Sequence, residues 1–255
     1  MIRRPTILLI LISLVGQLGA AIPQRVLFVG NSYTHYENMT QVVAAFAASR
    51  DFSMETRKST PGGATLEQHW KGQKGKQSID SLARIRSGDF DAVVLQEQSL
   101  RPIQDPGEMM TFAGKLTAAI KHAEAHPILY LTWAREKTPE TQSKLTQSYE
   151  TVARKTGATV APVGIAWAVV RSRRPELSLF SPDGSHPSTL GSYLAACVLF
   201  STLTNESCLG LPNQLSAKDE NGESIHLMRV TKEEATFLQT IADEVVENYQ
   251  QPALE

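Results

Sequence analysis

Cysteine is scarce in this chain: only Cys197 and Cys208 occur among 255 residues. Two are too few for a disulfide framework, and their spacing fits no metal site. Excess charge of either sign is also missing, with 25 Lys and Arg against 26 Asp and Glu and a formal net charge of -1. A nucleic-acid-binding surface is therefore not expected. Heptads, internal repeats and low-complexity tracts are lacking, and so is a Pro/Gly/Ser linker that would cut the chain in two. No long apolar run follows the N-terminal segment, so stable membrane association of the remainder is not expected. Aromatic residues are few, and Trp70, Trp133 and Trp167 are the three tryptophans.

Hydrophobic residues nonetheless make up 42%, and the length suffices for a sizeable core. The N-terminus has three parts: Arg3 and Arg4, an apolar stretch over 7–15, and the small residues Gly19, Ala20 and Ala21. That is the pattern of a secretory signal peptide. The expected organisation is a signal peptide over 1–21 and one domain over 22–255, exported to a periplasm or the exterior. The alternative is an uncleaved N-terminal anchor. An oxidising compartment permits a Cys197–Cys208 disulfide, but Cys197 also lies on the apolar stripe of Leu190, Tyr193, Leu194 and Val198, where a small buried hydrophobe serves equally.

Short apolar runs alternate with helical patterns. Strands are expected at 25–29, 53–59, 91–96, 128–132 and 159–163. The second alternates weakly and reads as nearer an edge. Asp105-Pro106-Gly107-Glu108 has an N-cap, a first-turn proline and a capping-box acid, and opens a helix with Met109, Phe112, Leu116 and Ile120 inward. Thr138-Pro139 starts another helix, which Gly157 stops, and Thr231 to Glu234 is a capping box for a last helix. Residues 205–224 read as loop. Strand and helix in alternation imply a parallel sheet with helices on both faces.

The first strand ends in Gly30-Asn31-Ser32-Tyr33, and a helical pattern follows. A serine on such a turn presents its hydroxyl at the end of the sheet where α/β proteins hold their chemistry, and Gly30 permits close backbone passage. The plain alternative is an Asn-Ser turn that opens a loop. Six histidines are available as a base. His122 and His126 fall around the end of a surface helix, where they favour its dipole. His226 lies in a polar loop, and His35 and His69 are close enough to the turn to be ligands or substrate contacts. His186 stands apart in Asp183-Gly184-Ser185-His186. An Asp three residues before a His on a glycine turn can hold the imidazole tautomer and its charged form. Alternatively, Asp183 caps the turn and His186 is incidental.

In combination these residues resemble the SGNH (GDSL-like) hydrolase superfamily. Gly30-Asn31-Ser32-Tyr33 resembles its nucleophile block, Gly62-Gly63 its second block and Asp183-Gly184-Ser185-His186 its closing Asp-x-x-His block. Two departures stand out. Asn31 replaces the usual Asp, and Gln96-Glu97-Gln98-Ser99 stands where Gly-x-Asn is usual. The resemblance implies a three-layer, flavodoxin-like α/β domain with five parallel strands in the order 2-1-3-4-5. It also implies Ser32 as nucleophile, His186 as base and Asp183 as its orienting acid. Oxyanion donors would be the N–H groups of Ser32 and Gly63 with a glutamine amide, Gln98 in preference to Gln96. No metal or organic cofactor is implied. Asn31, Trp133 and Arg101 are further candidates for substrate contact. Trp133 offers a stacking face for a sugar or a core side chain, and Arg101 meets an anionic substrate or water. The function expected is a secreted serine esterase removing acetyl groups from carbohydrates, its partner a small acyl ester or acetylated glycan. The alternatives are a lipid-directed esterase or thioesterase, and a non-catalytic glycan-binding module.

Overall fold

The structure is a computed structural model that describes residues 21–74, 78–218 and 220–250. The signal-peptide pattern therefore lies outside the described residues, Ala21 excepted. In chain order the elements are β1 (Arg25–Val29), α1 (Ser32–His35), α2 (Met39–Ala48), β2 (Glu55–Ser59), α3 (Leu66–Lys71), α4 (Ser81–Arg86), β3 (Ala92–Leu95), α5 (Arg101–Gln104) and α6 (Pro106–His122). Then come β4 (His126–Tyr130), α7 (Gln142–Thr156), β5 (Thr159–Ala161), α8 (Val163–Arg173), α9 (Thr189–Thr204), β6 (Gln214–Lys218), β7 (Ser224–Arg229) and α10 (Lys232–Gln250).

Five strands form one parallel sheet in the order β2-β1-β3-β4-β5. The near-continuous apolar runs of β1, β3 and β4 are what a strand covered on both faces requires. Their residues sort alternately. Val26, Phe28, Ala92, Val94, Ile128 and Tyr130 join the core under α2, α8, α9 and α10. Leu27, Val29, Val93, Leu95 and Leu129 join the core under α3, α4, α6 and α7. Each such side chain fully buried stabilises by roughly 1.5–3 kcal/mol relative to exposure. Register puts Val29 of β1 opposite both Ser59 of β2 and Leu95 of β3. The segments after these three strands therefore leave the sheet at one level, and that rim carries the site.

Helix starts follow the expected chemistry. Asp105 caps α6 by accepting from Glu108 N (3.0 Å), and Thr231 and Glu234 exchange capping-box bonds before α10. Gly157 ends α7 in the left-handed region at φ 64°.

Several expectations need correction. His126 is not a helix-end residue but begins β4, where its ring bonds Thr159 Oγ1 (2.8 Å). Residues 205–224 are not all loop: β6 and β7 pair as an antiparallel hairpin, which puts His226 on a strand. α5 was not expected at all. β1 keeps the expected bounds, β4 begins and ends two residues earlier, and β2, β3 and β5 are each two residues shorter than the apolar patterns. Cys197 and Cys208 are both buried free thiols, and Cys208 Sγ donates to Gln239 O at 3.3 Å.

Candidate active site

Gly30 leaves β1 with its N–H on Ser59 O (3.1 Å). A Cβ there would stand 2.5 Å from Gln96 Oε1 and 2.7 Å from Thr34 Oγ1, so only glycine fits. Asn31 then caps α1, its Oδ1 accepting from Tyr33 N (3.1 Å). Its Nδ2 donates to Ala64 O (3.0 Å), which ties the nucleophile turn to the loop carrying Gly63. Asn31 therefore spends its side chain on the frame, not on a substrate. Ser32 follows at the start of α1, half-buried, with its hydroxyl in a cleft of about 200 Å³.

The loop before α9 brings the base. His186 Nε2 lies 2.8 Å from Ser32 Oγ, and His186 Nδ1 lies 2.5 Å from Asp183 Oδ2. The other carboxylate oxygen of Asp183 accepts from Ser185 N and His186 N, both at 2.9 Å. The His186 hydrogen bond, then the Ser185 N–H, hold the Asp183 carboxyl down to about 2. It is thus ionised at neutral pH. Gly184 makes the turn at φ 65°. The loop is pinned by Tyr33 Oη to Ser185 Oγ (2.7 Å), Trp133 Nε1 to Ser185 O (3.0 Å) and Glu136 N to Gly184 O (2.9 Å). Tyr36 stacks on the imidazole with ring centroids 4.5 Å apart. Sequence reasoning missed Tyr36; its only signal is its nearness to Ser32.

Two unpartnered backbone donors face the same cleft. Among the described residues neither Ser32 N–H nor Gly63 N–H has a hydrogen-bond acceptor, and both residues line the cleft. Gly63 stands at φ 67°. The two glutamines separate cleanly. Gln96 is wholly buried; its Oε1 accepts from Asn31 N (2.9 Å) and Thr34 Oγ1 (2.8 Å), and its Nε2 donates to Glu97 O (2.5 Å). Buried and absent from the cleft lining, its amide does not reach an oxyanion there. Gln98 lines the cleft, and its Oε1 accepts from Leu100 N (2.9 Å) and Arg101 N (3.1 Å) at the start of α5. That fixes the amide with Nε2 held only by a long 3.4 Å contact to Ser99 Oγ.

Glu97, the residue between them, braces this corner. Its Oε1 accepts from Leu66 N (3.1 Å) and Gln98 N (2.7 Å), so one buried carboxyl links the second loop to Gln98. Burial pushes that carboxyl up to about 7. Trp133 is also placed differently from a sugar platform. It is buried between Tyr33 (centroids 4.6 Å) and Trp167 (3.8 Å), both near-parallel, so neither face is open. Arg101 pairs with Glu108, Glu67 and Asp105 and does not reach the cleft. Arg135, missed in the sequence, does line it. Among the described residues no cluster of His, Cys, Asp or Glu suits a metal ion, and no helix is long and apolar enough to cross a membrane.

His69 is neither ligand nor substrate contact. It is buried behind the turn, Nε2–H donating to Gly30 O (2.8 Å) with Nδ1 2.6 Å from Ser81 Oγ. Burial lowers its pKa to about 4, so it is neutral at pH 7. The unfolded chain takes this proton near the ordinary value of 6.5. Between these values the unfolded state binds more protons, and stability falls as pH drops, by up to about 3 kcal/mol. Glu97 acts oppositely: its raised pKa means the folded state binds more protons below pH 7. The expected result is that His69→Gln loses less stability than the wild type between pH 7 and pH 4.5, measured by urea unfolding. Parallel losses in both proteins would contradict it.

The all-parallel 2-1-3-4-5 sheet, with this site on the rim beyond β1, defines the SGNH hydrolase fold. Solved structures similar to this chain bear that out. One is a protein assigned as an SGNH hydrolase from Slackia heliotrinireducens, 29% identical, TM-score 0.62, covering 71% of this chain and 98% of its own. A DUF4886 family protein from Bacteroides uniformis is 17% identical, TM-score 0.67, covering 89% and 96%. An acetylxylan esterase from Geobacillus stearothermophilus is 14% identical, TM-score 0.55, covering 71% and 94%. The last two likenesses are of fold alone. No protein-family model matches the sequence, and neither does any curated protein.

Proposed function

We propose that the chain is an exported serine esterase that removes short acyl groups, acetyl foremost, from carbohydrates. The observation that carries the chemistry is the Ser32–His186–Asp183 hydrogen-bond chain beside two unpartnered backbone N–H groups. Ser32 Oγ attacks the acyl carbonyl while its proton passes to His186 Nε2. The imidazolium is stabilised by ionised Asp183, and it returns the proton to the leaving alcohol oxygen. Water then repeats the sequence on the acyl-enzyme and releases the acid. Ser32 N–H, Gly63 N–H and Gln98 Nε2–H receive the negative oxygen, where preorganised donors count most.

Size and polarity support a short acyl group. About 200 Å³ is below the roughly 300–1,000 Å³ of pockets that enclose drug-sized ligands. The cleft is lined by Gln98, Ser99, Arg135 and Ser185, which offers no apolar slot for a lipid chain. The N-terminal signal pattern supports export. A neighbour that is an acetylxylan esterase supports an acetylated glycan as substrate. In a test series of p-nitrophenyl esters, activity should fall steadily from acetate and be small beyond about butyrate, since each methylene is worth only about 1–3 kcal/mol. Acetate should also be released from an acetylated polysaccharide panel. Brisk octanoate cleavage without any acetate release would favour a lipid esterase, and silence on every ester a binding module.

A further inference from the structure

Arg135 sits in the loop after β4, within the cleft that holds Ser32 and His186. Its Nη2 donates to Ser99 Oγ at 3.0 Å. Its Nε is buried and has no hydrogen-bond partner. A guanidinium carries five N–H donors and is always charged. Several arginines elsewhere are matched to carboxylates, Arg101 to Glu67, Asp105 and Glu108, Arg173 to Glu244, and Arg174 to Glu176 and Glu233, while Arg50 and Arg171 bond backbone carbonyls and Arg86 lies over the Trp70 ring. Among the described residues Arg135 has no such partner. The acid nearest in function, Asp183, is already occupied by His186 and two backbone N–H groups. The cleft therefore carries a guanidinium with no direct carboxylate partner beside its nucleophile. Nε itself is closed off from solvent, so an anion entering the cleft would meet the guanidinium through Nη1 and Nη2.

We infer that Arg135 is a specificity residue that docks a carboxylate on the ester substrate, so that the preferred substrates are acidic. This rests on the esterase reading above and narrows its substrate class. The guanidinium fork fits a planar carboxylate through two parallel bonds, and such pairs are stronger than neutral ones. The carboxylate can belong to the alcohol half, as in an acetylated uronic acid, or to the acyl half, as in a succinate half-ester. Both present the same group to Arg135.

Three esters separate these sources: acetylated methyl galactoside, acetylated methyl galacturonoside, and the succinate half-ester of methyl galactoside. The readout is kcat/KM for wild type, Arg135→Gln and Arg135→Lys at low ionic strength. The expected result is a wild-type preference of about 10–100-fold for one charged ester over the neutral one. That ratio should collapse to about 1 in Arg135→Gln and recover partly in Arg135→Lys, which keeps the charge without the fork. Which charged ester wins assigns the carboxylate to the alcohol or the acyl half. No preference in the wild type overturns the inference, and so does a preference that survives in Arg135→Gln. An equal fall on all three esters assigns Arg135 to the oxyanion or to holding Ser99, and also overturns it. If the wild type cleaves none of the three, the carbohydrate-esterase reading fails, and the inference is decided separately by calorimetric titration of Ser32→Ala. Binding of either charged glycoside about tenfold tighter than the neutral one, abolished in Ser32→Ala/Arg135→Gln, upholds it; equal binding or none refutes it.

Discussion

Ser32→Ala should give a folded protein whose ester hydrolysis is slower by about 10⁴–10⁶-fold. The side chain makes one hydrogen bond, to His186, and otherwise faces the cleft, so its loss leaves no buried group unpaired. Asn31 still caps α1 and Gly30 still passes Gln96. What disappears is the atom that forms the acyl bond, and the residual rate is what the oxyanion donors give water. Unfolding should be unchanged within about 0.5 kcal/mol, as for surface substitutions away from buried features. A fluorophosphonate should label the wild type and spare the variant. Near-normal turnover in the folded variant, with kcat measured on p-nitrophenyl acetate, would remove the serine mechanism altogether.

Gln98→Ala and Gln96→Ala should fail in different ways. Gln98 has its oxygen tied to the start of α5 and its amide nitrogen nearly free in the cleft. Its truncation should lower kcat by about 10²–10³-fold with little change in KM, because the bond strengthens as negative charge develops. Gln96 instead satisfies Asn31 N, Thr34 Oγ1 and Glu97 O inside the protein. Its truncation orphans buried groups, each costing about 1–3 kcal/mol, and should show first as a lower urea midpoint. Equal kcat losses with unaltered stability in both variants would refute this division.

The parallel strands were legible because buried strands leave uninterrupted runs such as Val26-Leu27-Phe28-Val29, whereas their order came only from the family resemblance of the three motifs. The nucleophile turn and the Asp183–His186 loop were legible because both rest on contacts between near neighbours in sequence. The β6–β7 hairpin was not: Gln214-Leu215-Ser216-Ala217-Lys218 buries one residue fully, too little for a period to show. The roles of Trp133 and Arg101 stayed open for another reason. Whether an aromatic face or a guanidinium is free depends on Trp167 and Glu108, which only the fold brings alongside. Arg135 was invisible by the same logic, since an unpaired arginine is known only once every carboxylate has been placed. Gln98 was preferred to Gln96 because Gln96 still belongs to the strand and Gln98 falls in the loop beyond it; in the structure Gln96 is wholly buried and Gln98 lines the cleft.

The bond between Ser32 and His186 joins residues 154 positions apart. Synthesis runs at about 5–20 residues per second, so the serine precedes its base by roughly 8–30 s on the ribosome. The nascent chain, and any fragment that stops short of residue 186, therefore carries an unactivated alcohol. No separate propeptide is needed to keep a half-made chain from acting on the esters of the cell that makes it.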